Sequence, residues 1–307
     1  MWSYEDSASA FRDVLRLSRA MTYKMAVADL PLGGGKGVIM LSPHTRLSSE
    51  RRQQALLDFA DTVQTLGGRY ITAEDVGTSS RDIGVMAERT THVAGLARSR
   101  GGSGDPSPFT ALGVEVAIRA CCERVFGDDG LRGRSVCVIG LGHVGSRVAK
   151  RCARAGAKLV LADVDPDKRR LAEELEAKWM SPEDALEARA EIVCPCALGG
   201  VLNDETVPRL RCRIIAGAAN NQLAEDRTAD LLTAREILWA PDFVANAGGV
   251  INIAEEFGTY DASAARRRVR GIADTLRRIF DDAEAMGATT LTAAMELARR
   301  RLVPTAR

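Results

Sequence analysis

The residues best placed to do chemistry in this 307-residue chain are two lysines and two glycine clusters. Lys24 stands a few residues ahead of the run LPLGGGKGV, which carries Lys36 directly after three glycines. Lysines taken singly are most often solvated surface charges. Glycines packed before Lys36 bring backbone close to it, and an ammonium in an apolar, glycine-walled cleft beside a second cation is destabilised. Its pKa is therefore expected to fall toward a range useful for acid–base work. The run is not a nucleoside-triphosphate loop: that pattern needs Gly six residues before the Lys and Ser or Thr after it, where Leu30 and Gly37 stand. The second cluster is Gly140-Leu141-Gly142-His143-Val144-Gly145, preceded by the strand-like VCVI and followed by the helical SRVAKRCARAG. A GxGxxG between a strand and a helix makes a tight turn and lets a pyrophosphate approach unpaired N–H groups at the helix start. Asp163 closes the next strand-like run eighteen residues beyond Gly145, about the spacing of an acid that binds the adenosine ribose hydroxyls. A carboxylate there favours NAD over its 2′-phosphorylated form, although Lys168, Arg169 and Arg170 follow closely and moderate that preference.

These residues need elements to hold them. Residues 3–21 carry Phe11, Val14, Leu15 and Leu17 at helical spacing, and residues 48–66 form a second helix with a serine cap and Gly67-Gly68 as its stop. Residues 38–41 and 70–72 read as short strands. The segment 98–108, RSRGGSGDPSP, has the composition of a hinge, and a domain boundary is placed near it. Beyond it, short β-branched runs alternate with helical patterns, the form of parallel βα units. Strands are expected at Ser135–Ile139, Lys158–Ala162, 191–194, 213–216 and 236–239, with closing helices at 266–280 and 292–302. The fold class is α/β: an α/β domain over 1–105, a Rossmann-type doubly wound domain over 106–290, and a terminal helix over 291–307 returning toward the first.

Composition narrows the function classes. At about 150 residues per domain, the length suits about two domains. Lys and Arg (42) nearly balance Asp and Glu (41), which leaves no broad field to attract nucleic acid or an anionic membrane. No apolar run approaches a bilayer span, and the N-terminus is not of secretory type, so a cytoplasmic location is expected. The seven cysteines, Cys194-Pro195-Cys196 among them, do not form a disulfide framework, and three histidines lack any zinc-binding spacing. No metal is expected.

Seven ordered motifs, MTYKMAVADLPLGGGKGVIM, ITAEDVGT, PSPFTALGV, GLGHVG, CPCALGG, GAANNQ and APDFVANAGGVIN, together resemble the leucine, valine and phenylalanine dehydrogenases of the glutamate dehydrogenase superfamily. The resemblance spans Met1 to about Phe257. It implies reversible oxidative deamination: an L-amino acid, NAD+ and water give a 2-oxo acid, ammonium and NADH, in a homo-oligomer whose first domain binds the amino acid and dimerises. By it, Lys24 holds the substrate carboxylate, Lys36 is the catalytic lysine that activates water, and Asp75 shuttles protons at the amine. Apart from the resemblance, Asp75 reads equally as a turn former before Val76-Gly77. Asn220 is implied as the amide that contacts substrate and nicotinamide ribose, with Asn246 a second such amide. Thr110 is implied to contact the nicotinamide amide, and Cys196 and Ala197 to line the cofactor groove.

The resemblance also implies a side-chain pocket near Ala73, Val250 and Ile253. Ala, Val and Ile narrow an apolar slot, so leucine, valine or isoleucine is favoured, with phenylalanine as the alternative and graded selectivity between them. Nothing near these positions supplies the extra cation that a glutamate side chain needs. In the family the first domain begins farther upstream, so this chain resembles one lacking an N-terminal segment. A missing segment implies uncovered apolar surface, and with it a second reading: a weakly active NAD-binding paralogue or partner subunit. Lys24, Lys36 and Asp75 together argue for the enzyme.

Overall fold

A computed structural model describes residues 1–302; residues 303–307 of the expected terminal helix lie outside the described residues. Helix α1 (Ser7–Val27) follows the short strand β1 (Trp2–Ser3), and β2 (Met40–Leu41) pairs in parallel with β1. Helix α2 (Ser49–Thr65), β3 (Thr72–Ala73), α3 (Ser80–Met86) and β4 (Val93–Ala94) complete the first part, with β3 and β4 parallel. Helix α4 (Ser107–Phe126) leads into β5 (Ser135–Ile139), α5 (Gly145–Arg154), β6 (Lys158–Ala162), α6 (Arg169–Glu174), β7 (Lys178–Met180), α7 (Pro182–Leu186) and β8 (Ile192–Pro195). Then come β9 (Ile214–Ile215), α8 (Thr228–Ala234), β10 (Leu238–Trp239), α9 (Asp242–Ala245) and α10 (Gly248–Ala254). Helices α11 (Ala262–Arg270), α12 (Ile272–Met286) and α13 (Thr290–Leu302) close the described chain.

Strands β5 to β10 form one parallel sheet in the order β10-β9-β8-β5-β6-β7. From β5 the chain winds outward to β7 on one side and then from β8 to β10 on the other, which is the doubly wound Rossmann order. Its switch point lies between β5 and β8, where ligands bind beyond the strands' carboxyl ends. Alternation along each strand feeds two cores. Val136, Val138, Leu161, Ile192 and Cys194 face one layer of helices, while Cys137, Ile139, Ala162, Val193 and Ile215 face the other. A small third cluster, Leu56, Ala60, Ile83 and Met86, holds α2 against α3.

Strands β5 and β6 have the expected bounds, and the other expected strands are trimmed or shifted by one or two residues. Strand β7 is not among those expected: KWM at the sheet edge is half-exposed and lacks a β-branched run. The closing helix expected at 266–280 is two helices, interrupted at Gly271. Helix α1 starts later than expected, where the Asp6 carboxylate accepts from Ser9 N at 2.6 Å, and runs six residues past Met21. That extension matters, because its last turns carry Lys24 into the large core, where α1 packs against α13 and α9. The Gly-rich hinge is anchored: Gly95 N and Ser103 N both donate to Glu256, at 2.9 and 2.6 Å.

Candidate active site

Gly34, Gly35 and Gly37 lie pressed between two walls. A Cβ on Gly34 would come within 2.0 Å of Thr22 Oγ1 on α1, and one on Gly35 within 2.7 Å of the Tyr70 ring. One on Gly37 would meet Phe59 at 2.8 Å, and Ser18 Oγ donates to Gly34 O. Only side-chain-free backbone threads this gap. The loop so held presents Lys36, whose ammonium is ion-paired and hydrogen-bonded to Asp75. Asp75 sits in the turn after β3, with Oδ1 accepting from its neighbour Val76 N at 2.7 Å and its carbonyl accepting from Thr78 Oγ1 at 2.8 Å. Burial works to raise the Asp75 pKa, but the charge and hydrogen bond of Lys36 outweigh it and hold the carboxyl below its usual range.

Lys24 is buried, and its Nζ donates to Asn220 Oδ1 at 3.0 Å. Asn246 Nδ2 donates to the same oxygen at 2.9 Å and to Ala218 O at 3.1 Å. Asn246 Oδ1 is buried without a partner among the described residues, a free acceptor in the site. Burial pushes Lys24 down to about 8; the Asp242 carboxylate opposes that shift and the Lys36 charge adds to it. Lys24 is the deeper of the two amines. Asp242 is itself buried and raised by desolvation, against hydrogen bonds from Gln222 N (2.8 Å) and Phe243 N (2.7 Å). The sequence reading missed Asp242 as a functional group, although an acid inside the apolar run APDFVANAGG is a signal that it is buried and matched.

The Gly140–Gly145 turn fits an extended diphosphate on three counts. Gly140 adopts φ +96°, a Cβ on Gly142 would meet nothing within 4 Å, and a Cβ on Gly145 would lie 1.8 Å from Gly140 O. These are a tight turn, an open approach and a close helix contact. Leu141 is buried beneath the turn, His143 is exposed, and Val144 leads into α5. Asp163, at the end of β6, accepts from Leu141 N at 2.5 Å and from Asp165 N at 2.8 Å, so its carboxylate lies beside the turn. Lys168 ends the next single helical turn. Across the switch point, Ala197 packs against Gly140 and the Cys196 Cβ lies 3.0 Å from a Cβ built on Gly145. Thr110 meets α10: a Cβ on Gly249 would come 2.7 Å from its Oγ1.

The structure thus joins Lys36 to Asp75, Lys24 to Asn220 and Asn246, Thr110 to the start of α10, and Cys196 and Ala197 to the glycine turn. The three pocket positions stand on two elements. Ala73 ends β3 two residues before Asp75, and Val250 and Ile253, both half-buried, lie on α10 just after Asn246.

Comparison with known proteins agrees with this geometry. Residues 1–92 match the family described as Glu/Leu/Phe/Val dehydrogenase, dimerisation domain, and residues 161–304 match Glutamate/Leucine/Phenylalanine/Valine dehydrogenase. The chain is 43% identical to a leucine dehydrogenase of Thermoactinomyces intermedius over 98% of its own length and 82% of that protein. It is 38% identical to a phenylalanine dehydrogenase of Caldalkalibacillus thermarum over 100% of its own length and 84% of that protein. The crystal structure of L-tryptophan dehydrogenase from Nostoc punctiforme superposes with a TM-score of 0.82 at 36% identity, over 97% of this chain and 85% of that one. Matched at both ends by the family's own domains and along nearly its whole length by its members, the chain belongs to the Glu/Leu/Phe/Val family of amino acid dehydrogenases.

Proposed function

We propose that this chain catalyses the NAD-dependent, reversible oxidative deamination of a branched aliphatic L-amino acid, leucine, valine or isoleucine, to its 2-oxo acid, ammonium and NADH. The observation that carries this reading is the pairing of a buried lysine, Lys24, held by Asn220, with a second lysine, Lys36, bonded to a carboxylate, Asp75. One cation suits the substrate carboxylate and the Lys36–Asp75 pair suits proton transfer at the amine carbon. The alanine at 73 and the branched Val250 and Ile253 favour an aliphatic side chain. The phenylalanine and tryptophan dehydrogenases among the relatives favour an aromatic one as the second reading. Residues 1–105 act as the substrate domain, 106–290 as the dinucleotide domain, and 291–307 as the returning helix.

Lys24 binds the substrate carboxylate as an ammonium, while Asn220 and Asn246 orient the substrate beside it. Asp75, kept ionised by Lys36, accepts a proton from the substrate ammonium, and Lys36 donates a hydrogen bond to the oxygen that develops when water adds to the imine. The Gly140–Gly145 turn and Asp163 would hold the dinucleotide, which would supply the hydride acceptor. The carboxylate of Asp163 favours NAD over NADP by repelling a 2′-phosphate. The dimerisation-domain match and exposed Phe11 and Leu15, one turn apart on α1, support a homo-oligomer. The test is NADH formation by the purified chain with each of leucine, valine, isoleucine, phenylalanine, tryptophan and glutamate. A branched-chain preference supports the reading, an aromatic preference selects the second one, and NADH binding without turnover leaves only the binding-protein alternative.

A further inference from the structure

Strand β8 ends at Pro195 at the switch point of the sheet, and Cys196 N continues its ladder by donating to Ile139 O at 2.7 Å, so residues 194 and 196 point to the same face. Their sulfurs are 3.5 Å apart. The two differ in access: Cys194 is fully buried in the core, whereas Cys196 is half-buried and the most accessible of the seven cysteines. Cys196 also lies against Gly145, the third glycine of the turn at the start of α5.

We propose that Cys194 and Cys196 are a redox pair that closes to a disulfide under peroxide and thereby shuts the dinucleotide crevice. This rests on the reading of the Gly140–Gly145 turn as the dinucleotide site. Accessibility assigns the order of events. The Cys196 thiolate attacks the peroxide O–O bond and takes one oxygen as sulfenic acid. The departing hydroxide is protonated to water. The Cys194 sulfur then attacks Cys196, the S–O bond breaks, a second water leaves and the S–S bond forms. Two thiols are oxidised and one peroxide is reduced. Bringing the sulfurs from 3.5 Å to bonding distance takes about 1.5 Å of movement, shared between side-chain rotation and the backbone at the strand end. The backbone share of that movement shifts the Cys196 Cβ, which packs on Gly145.

Electrostatics agrees with the assignment. The hydrogen bond from Cys194 lowers the Cys196 pKa against the opposing effect of burial, with the Ala218 backbone helping, whereas the Cys194 thiol is pushed well up. The remaining five cysteines are buried with raised pKa values; Cys137, Cys152 and Cys212, for example, are pushed up to about 12 by burial. They serve as unreactive internal controls.

The test treats the whole protein with hydrogen peroxide, then measures NADH binding by fluorescence and maps thiols by mass spectrometry, before and after dithiothreitol. Tryptic cleavage after Arg189 and Arg209 isolates both sulfurs in one peptide free of other cysteines. The expected result is that peptide lighter by two hydrogens, NADH binding weaker by about tenfold or more, and recovery of both on reduction. Cys194→Ala, which removes only the buried partner, is expected to bind NADH normally when reduced and to stop at a dimedone-reactive Cys196 sulfenic acid. A native peptide that keeps both thiols, or a disulfide that leaves NADH binding unchanged, overturns the proposal. Reduced protein that binds no NADH instead overturns the dinucleotide reading, and the closure with it, while the peptide mass still decides whether the pair forms.

Discussion

Lys24 Nζ and Asn220 Oδ1 are joined at 3.0 Å across 196 positions of sequence. The first stands in the last turns of α1 and the second in the loop after β9 of the Rossmann sheet. The bond forms because the apolar end of α1, Met25 to Val27, is buried in the same core as α4 and α13. Burial of that helix end carries an ammonium into low-dielectric surroundings, lowers its pKa, and sets it beside the amides that follow the sheet.

The pH dependence of carboxylate binding follows from Lys24. Its pKa of about 8 means that the ammonium is present below that pH and lost above it. Affinity for the 2-oxo acid of leucine, measured calorimetrically, is expected to be level below pH 8 and to fall about tenfold per unit above it, with proton uptake on binding near pH 8. Stability moves the other way. The folded pKa lies below the unfolded 10.5, so the unfolded chain holds more protons between the two values and this group's contribution to stability rises with pH across that window.

The Lys36–Asp75 pair separates from Lys24 in kinetics. Lys36→Ala and Asp75→Asn are each expected to lower kcat by about 10²- to 10⁴-fold, the range of general acid–base contributions, with little change in substrate KM. Lys24→Ala is expected to act chiefly on KM for the amino acid. Steady-state kinetics of the three variants separates the roles, and a Lys36→Ala protein with unimpaired kcat removes Lys36 from the mechanism.

Two glycines of one turn have different tolerances. Gly142→Ala points a methyl into open space, so the melting temperature is expected to hold while NADH binding weakens. Gly145→Ala places a methyl 1.8 Å from Gly140 O, so both fold stability and binding are expected to fall, by about 1–3 kcal/mol in stability. Thermal melts read beside NADH titrations distinguish the two.

Cofactor choice is expected to turn on Asp163. Asp163→Ser removes the charge that opposes a 2′-phosphate and leaves Lys168 close behind, so the ratio of NADP to NAD affinity is expected to rise by about tenfold or more. Loss of both affinities together is the contrary result, assigning Asp163 to holding the turn through Leu141 N.

Glu256→Ala strips two backbone donors, Gly95 N and Ser103 N, of their shared acceptor. Ser103 is fully buried, so a loss of about 1–3 kcal/mol in urea unfolding is expected, the cost of unpaired buried donors. Glu256→Gln, which keeps one acceptor, is expected to lose less.

Much of the Rossmann half was legible in the sequence because its signals are local. A β-branched run, a glycine turn and a helix fall within about twenty residues, and the alternation from Val136 to Ile139 states which face each residue occupies. Strand β7 and the break at Gly271 were not legible, since edge exposure and a helix interruption are set by neighbours rather than by local pattern. The same distinction holds at the site. The glycines before Lys36 announce close packing in the sequence itself, but what packs there, Thr22, Phe59 and Tyr70, is brought by α1, α2 and the segment leading into β3.

By itself, then, the sequence determined the residue types, the glycine turn between strand and helix, and the order of the parallel units. Tertiary structure alone decided how deeply Lys24 is buried, which brings its pKa down to about 8, that Asp242 is its buried counter-charge, and that Cys194 and Cys196 meet beside Gly145. The reason is physical: turn geometry and strand alternation act over neighbouring residues, whereas desolvation and Coulomb interaction depend on what the whole chain places around a group.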